Sequence, residues 1–235
     1  MTAPTAIDSS RLQSIAIENQ KMKRYALNLR FAAMTALDPA VDAGGAALTP
    51  AGLAPSAADS PAITLAAPWW HAPAFTLWGE FAFDTAAGSA AWLLALENAE
   101  GGLTLGAAIA AGEITVSDYE SEAVLRFPLP AGGRFRLAIS ATATTLSAAV
   151  AGLAKAAVCD NTHAGAARLL LAGAGTAGLV IPHLAILPHA TSAALLPVLS
   201  ELDDASGSAP GINALLFPDG DPALWPDGDP VAWPG

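Results

Sequence analysis

The sequence predicts a mainly β protein, an antiparallel β-sandwich or barrel, and three observations predict it. From Ile63 onward, short apolar runs alternate with polar residues, as expected where successive side chains face opposite sides of a strand. Clusters of Gly, Pro, Asn and Asp separate these runs at the spacing of an all-β domain. Helical patterns are confined to the N-terminus and to one short segment after the last strand.

The clearest strand is predicted at Phe75–Phe83, because Phe75, Leu77, Phe81 and Phe83 share one face. The other predicted strands are Ala91–Leu96, Leu103–Ile109, Glu113–Ser117, Ala123–Phe127, Arg134–Ser140, Thr145–Val150, Arg168–Leu171 and Leu179–Leu187. A short helix is expected at Thr191–Leu202. Strands in such a series favour antiparallel pairing over βαβ units.

Residues 8–37 predict a helix, since they contain neither glycine nor proline and open with a capping box at Ser10–Gln13. Apolar residues recur every three or four positions along it. The stripe consists of Leu12, Ile15, Asn19, Met22, Ala26, Leu29, Ala33 and Ala36. Two interpretations stay open: a coiled coil whose Asn19 sets the register, with Leu12, Ile15, Met22 and Leu29 as assembly contacts, or a helix packed on its own sandwich.

Four segments follow from these patterns: a helical anchor at 1–37, a linker arm at 38–61, the sandwich at 62–203 and an extended tail at 204–235. The tail contains a repeat of period eight in which Pro-Asp-Gly-Asp-Pro precedes Trp225 and then Trp233. Because proline-rich turns leave these indoles without a fold of their own, we expect Trp225 and Trp233 to dock on this subunit or, preferably, on a neighbouring one.

Composition excludes several classes of function. With 21 acidic and 10 basic residues, the net charge of −11 disfavours nucleic acid as a partner. No apolar run is long enough to span a membrane, and the N-terminus lacks the pattern of a signal peptide, so we expect synthesis in the bacterial cytoplasm. The single Cys159 is expected to be buried, and His and Cys spacing suggests no metal site or cofactor.

Patterns for catalysis are weak. Gly173–Gly178 matches a dinucleotide-binding motif, but Pro182 follows too soon for the required helix, so we expect a glycine-rich hairpin. No serine or cysteine lies in a nucleophile motif, and the acids between Glu97 and Glu122 only weakly favour a glycosidase pair. We therefore expect no enzyme activity. Trp69-Trp70-His71 is a candidate glycan contact, but packing in the core or at an interface is the preferred interpretation.

Several of these segments together resemble the pattern of a known family. The closing pattern of Leu169–Gly173, Gly178–Pro188 and Ser192–Leu196, together with the aromatic strand Phe75–Phe83 and the basic strand Arg134–Ile139, resembles the concanavalin A-like, laminin-G-type jelly roll of bacteriophage virion proteins. At Val150–Gly152, Ala151 replaces the usual asparagine of that family's turn. The resemblance covers slightly over half of the chain and implies a jelly-roll β-sandwich.

The resemblance also implies a function. We expect a virion structural protein, a head-spike or tail-fibre component of a phage or gene-transfer-agent particle, at the virion surface. Its expected partners are other virion proteins, further copies of itself and host surface polysaccharide. The alternatives are a free-standing carbohydrate-binding lectin module and a degenerate glycoside hydrolase.

Overall fold

The computed structural model describes residues 27–55, 60–86, 90–173 and 176–201, and the backbone of 213–214 and 232–233. Contacts between residues divide the chain into two units. One unit is Leu27–Leu202, and the other comprises Met1–Ala26 and Asp203–Gly235. The first unit holds nearly all of the described residues. Among the described residues, no helix has both the length and the apolarity needed to cross a membrane.

The first unit is built almost entirely of strands. In chain order they are β1 (Leu27–Leu29), β2 (Val41–Asp42), β3 (Ala47–Thr49), β4 (Gly52–Ala54), β5 (Ala62–Thr64), β6 (Phe75–Phe83), β7 (Ala90–Asn98), β8 (Leu103–Ala110), β9 (Glu113–Asp118), β10 (Val124–Pro128), β11 (Arg134–Ala141), β12 (Thr145–Val150), β13 (Leu153–Val158), β14 (Ala166–Leu171) and β15 (Leu179–Leu187). A 3-10 helix at Phe31–Ala33 and the helix α1 (Leu196–Ser200) complete the described elements.

The strands form two antiparallel sheets. The first sheet has the order β13-β12-β11-β6-β15-β4-β3, with β1 also paired to β15. The second sheet has the order β10-β9-β8-β7-β14-β5-β2. The predicted fold class, a mainly β antiparallel sandwich, is therefore confirmed.

Alternation along the strands places the core between the sheets. In β6, Leu77 and Phe81 are fully buried on the inner face, and the Phe81 ring stacks on Phe135 of β11 with centroids 5.6 Å apart. In the second sheet, Leu105 and Ile109 of β8 are buried on the inner face and belong to the same hydrophobic core. Burial of these side chains is the main force that holds the two sheets face to face.

The predicted N-terminal helix is wrong over its last part. Leu27–Leu29 forms β1, which pairs with β15 so that Leu29 lies opposite Leu184. Leu29 is 1% exposed and Phe31 is fully buried, so packing in the sandwich core overrides the helical spacing. Leu29 is thus a core residue of its own subunit and not an exposed assembly contact. The other predicted assembly contacts, Leu12, Ile15, Asn19 and Met22, lie outside the described residues.

The segment 38–61, predicted as a linker arm, adds strands to both sheets. Val41 of β2 pairs with Ile63, and the buried Leu53 of β4 pairs with Ile181. At Gly52, whose φ is +133°, a Cβ atom would lie 2.5 Å from the carbonyl oxygen of Ile181, so only glycine permits this approach. Strands of two or three residues are too short to show a periodic pattern in the sequence.

Two further local predictions need correction. The helix expected at Thr191–Leu202 forms only at Leu196–Ser200, where Pro197 occupies its first turn, a position that tolerates proline. The glycine run 173–178 is not a hairpin, because β14 and β15 belong to different sheets. Its described residues connect the two layers.

The turn between β10 and β11 offers a test of backbone packing. Gly133 has a φ of +70°, and a Cβ atom there would lie 2.0 Å from the carbonyl oxygen of Phe83. We expect Gly133→Ala to lower the free energy of unfolding by about 2–4 kcal/mol, measured by urea denaturation. Gly132→Ala is the matched control, because φ is +84° and the space is open, so it reports the left-handed strain alone. Equal losses in both variants would contradict the predicted clash.

In the second unit, the described backbone forms one antiparallel pairing between β16 (Asn213–Ala214) and β17 (Ala232–Trp233). Asn213 lies opposite Trp233 in this pairing. Trp225 lies outside the described residues. The docking of Trp225 and Trp233 stays a prediction.

Candidate functional site

The outer face of the first sheet is partly covered. The helix α1 packs on β11, β12 and β13, where Leu196 contacts Ala138 and Ala149. The Nε1 atom of Trp78 donates a hydrogen bond of 2.6 Å to the Leu199 carbonyl oxygen. Next to this contact, Glu80 is buried and accepts hydrogen bonds from two arginines of β11. These polar groups are satisfied within the fold.

The outer face of the second sheet carries two exposed aromatic side chains. Trp92 lies in β7 and is 39% exposed, and Tyr119 directly follows β9 and is 43% exposed. Between them lies Gly106 of β8. A Cβ atom at Gly106 would be 2.9 Å from the six-membered ring of Trp92 and 2.9 Å from the Tyr119 hydroxyl oxygen. The two rings therefore converge above this glycine and form one continuous aromatic surface.

Small and hydroxyl-bearing residues surround the two rings. On β7 and β9, Ala95 and Ser117 lie opposite Gly106, and Thr115 lies opposite Ala108. Residues directly opposite on antiparallel strands share one face, so the hydroxyls of Ser117 and Thr115 border the aromatic rings. We name the outer surface formed by Trp92, Tyr119, Gly106, Thr115 and Ser117 the aromatic face.

Ion pairs lie at both ends of the aromatic face. At one end, Arg168 Nη1 lies 3.3 Å from Glu97 Oε2. At the other end, Arg126 Nη1 lies 3.5 Å from Glu113 Oε2. Each arginine on this surface is thus matched by a carboxylate on a neighbouring strand.

A buried polar cluster holds the turn that carries Tyr119. The preceding residue, Asp118, faces inward with a fully buried carboxylate that accepts hydrogen bonds from the backbone N–H groups of Glu120 and Ser121. Asn161 Nδ2 donates to the same carboxylate at 3.1 Å. The His163 ring lies edge-on to Phe75, with its Nε2 atom 3.4 Å from Asp118 Oδ2. This cluster fixes the turn that presents Tyr119.

Burial lowers the pKa of His163, and the Asp118 carboxylate opposes that shift only in part. A histidine in an unfolded chain has a pKa of about 6.5, so as the pH falls below that value the unfolded chain takes up a proton at His163 more readily than the folded chain does. The contribution of His163 to stability is therefore complete above about pH 6.5 and is lost as the pH falls towards its folded pKa.

We expect this loss to disappear in the variant His163→Asn, because asparagine does not protonate and tolerates the positive φ of 48° found here. The measurement is the free energy of unfolding between about pH 7 and pH 5 for the wild type and the variant. The wild type should show the steeper decline. Parallel curves would contradict the assignment.

The predicted glycan contact Trp69-Trp70-His71 lies elsewhere. Trp69 and Trp70 are partly buried against the core, and the Trp70 ring contacts Phe75 with centroids 4.6 Å apart. His71 is exposed. The structure brings none of the three onto the aromatic face, and their glycan contact stays a prediction.

The acids predicted as a weak glycosidase pair are dispersed. Glu97 and Glu113 take part in the two ion pairs, and Asp118 points into the sandwich. Cys159 is buried as predicted, and burial raises the pKa of its thiol. Within residues 27–201 as described, no group of three or more His, Cys, Asp and Glu side chains is arranged to hold a metal ion.

Sequence reasoning missed Trp92 and Tyr119. The sequence contains a signal for Trp92, because the apolar residues Ala91 and Leu93 lie on either side of it in a predicted strand. Since neighbouring side chains of a strand point to opposite faces, burial of Ala91 and Leu93 directs the Trp92 ring outward. Tyr119 gives no such signal, since it lies in a turn. A cleft of about 450 Å³ lies apart from the aromatic face and is lined by Ala82, Phe83, Asp84, Thr85, Gly132, Gly178 and Val180. The only aromatic side chain among these, Phe83, belongs to the core.

The sequence matches no family model, and no curated protein is significantly similar to it. Solved structures share the fold. A Trypanosoma rangeli sialidase in complex with 2,3-difluorosialic acid is similar with a TM-score of 0.57 and 11% identity, over 85% of this chain and 39% of that chain. The CBM2 module of the evolved Dit of Lactobacillus casei BL23 phage J-1 is similar with a TM-score of 0.51 and 9% identity, over 72% of this chain and 96% of that module.

These likenesses show the fold alone, and the chain spans about two fifths of the length of the sialidase. They nevertheless correct one expectation. The prediction of no enzyme activity, which followed from the lack of catalytic motifs in the sequence, is contradicted, because the chain shares its fold with sialidases. The likeness to the Dit module agrees with the predicted β-sandwich fold.

Proposed function

We propose that the chain binds carbohydrate through the aromatic face. The observation that carries this proposal is the convergence of Trp92 and Tyr119 above Gly106 on an open sheet surface. Single exposed apolar side chains need no explanation, but two large rings held together over a glycine are typical of a contact surface.

The chemistry of a sugar fits this surface. A sugar ring presents apolar C–H groups on its faces and hydroxyls at its edge. The rings of Trp92 and Tyr119 can stack on the C–H faces of the sugar. The hydroxyls of Ser117 and Thr115 can exchange hydrogen bonds with the sugar hydroxyls. Because Trp92 lies on a strand and the hydrogen bonds of Asp118 hold the turn that carries Tyr119, little ordering entropy is lost on binding.

The finer proposal is a component of a phage or gene-transfer-agent particle that binds host polysaccharide at the virion surface. It is supported by the fold likeness to a carbohydrate-binding module of a phage Dit and by the sequence resemblance to virion jelly rolls. In this proposal the segments outside the sandwich contact other virion proteins or further copies of the chain.

The test is a glycan array probed with the full chain and with the variant Gly106→Val. Valine favours strands, and its side chain would meet only the far ends of Trp92 and Tyr119, so we expect folding to persist while the two rings separate. Binding seen for the wild type should fall by about tenfold or more. The same samples, assayed for released sugar, test for hydrolysis.

The matched control is Val158→Ala on β13, because Val158 is 86% exposed on the first sheet. It should bind as the wild type does. Equal binding by the wild type and Gly106→Val would contradict the aromatic face as the site, and the absence of binding by the wild type to every glycan would contradict the proposed function.

A further inference from the structure

We infer that the ligand of the aromatic face is an uncharged polysaccharide and not an acidic one; this inference rests on the proposed carbohydrate binding. An acidic glycan needs cations that are free to pair with its carboxylates or sulfates. The charges around the aromatic face do not supply them.

The two arginines of this surface already have partners. Arg168 pairs with Glu97, and Arg126 pairs with Glu113, each with a separation of 3.5 Å or less. An anionic sugar that approached either guanidinium would also meet the carboxylate beside it. That carboxylate cancels the charge of the arginine and repels the anion, so the pair offers an anionic sugar little net electrostatic attraction.

The turn after β9 adds negative charge. Glu120 and Glu122 are both exposed in the segment that presents Tyr119. The two ion pairs sum to zero, and Lys155, whose Nζ donates a hydrogen bond to the Arg126 carbonyl oxygen, adds one positive charge. The two glutamates therefore leave the surroundings of the aromatic face with a net negative charge. The chain as a whole carries a formal charge of −11, and this field lowers the local concentration of polyanions.

The remaining groups are neutral. Burial raises the pKa of the Tyr119 phenol, so its hydroxyl stays protonated and available as a donor at neutral pH. Ser117, Thr115 and the Trp92 ring carry no charge. Stacking and neutral hydrogen bonds therefore dominate, and such binding changes little with ionic strength.

The test is affinity electrophoresis of the full chain in native gels that contain either neutral polymers (β-glucan, galactomannan and xylan) or anionic polymers (alginate, polygalacturonate and polysialic acid). We expect retardation by at least one neutral polymer, the same at low and high salt, and none by the anionic set. Trp92→Ala should abolish the retardation, whereas Val158→Ala should preserve it.

The two proposals fail differently. Retardation by an anionic polymer that weakens with salt and is lost in Trp92→Ala would overturn the inference and leave carbohydrate binding at the aromatic face intact. Retardation that Trp92→Ala does not change would overturn the proposed site. The absence of retardation by both sets would overturn carbohydrate binding and the inference with it.

Discussion

Replacement of Trp92 by alanine is expected to weaken glycan binding by about 30-fold, or about 2 kcal/mol, which is typical of a central aromatic contact. Trp92 supplies the larger of the two rings, and its removal exposes Gly106 and Gly173, both of which it covers. Isothermal titration of the glycan that binds most strongly on the array measures this loss. Because Trp92 is already 39% exposed, we expect stability to fall far less than it does on truncation of a core residue.

The variant Trp92→Phe distinguishes loss of stacking from loss of the fold as the cause of weaker glycan binding. Phenylalanine retains an aromatic face, so part of the affinity should return without any change in the sheet. Val158→Ala again serves as the unrelated surface control. A Trp92→Ala protein that folds normally and binds within about twofold of the wild type would show that the contact lies elsewhere.

Replacement of Asp118 by alanine is expected to cost about 3–5 kcal/mol of the free energy of unfolding. The buried carboxylate accepts hydrogen bonds from the backbone of Glu120 and Ser121 and from Asn161 Nδ2, and all three donors would lose this acceptor. A buried donor without a partner is penalised more than the average hydrogen bond contributes, so the loss exceeds that of a surface acid. Urea denaturation at neutral pH measures it.

Asp160→Ala is the matched control, because Asp160 is an exposed acid in the neighbouring loop. It should change stability by no more than about 0.5 kcal/mol. A loss of similar size in both variants would contradict the role of Asp118 as the buried acceptor that fixes the turn before Tyr119.

The long strands were predictable because their inner residues alternate with outer ones. The predicted bounds Phe75–Phe83 and Leu179–Leu187 coincide with β6 and β15, both central in the first sheet. The edge strand β13 was not predicted, since all but one of its residues are exposed and no apolar alternation marks it. Leu27–Leu29 was assigned to a helix because a strand of three residues is too short to show an alternation that departs from the helical spacing around it.

The aromatic face was not predictable as a unit. Its rings come from β7 and from the turn after β9, and Gly106 comes from β8. Only the register between these strands brings the three together, and register depends on the packing of the whole sheet. By contrast, adjacency in the sequence drew attention to Trp69 and Trp70, whose rings pack against the core.

The most direct test of carbohydrate binding at the aromatic face is a nuclear magnetic resonance titration of the ¹⁵N-labelled full chain with the glycan that binds most strongly on the array. The chain has six tryptophans, so its indole N–H signals are few, and each is assigned by its loss in the corresponding single variant. The structure predicts that the Trp92 indole signal and the amides around Gly106 and Tyr119 shift on titration. Shifts confined to Trp69 and Trp70, with Trp92 unchanged, would contradict it.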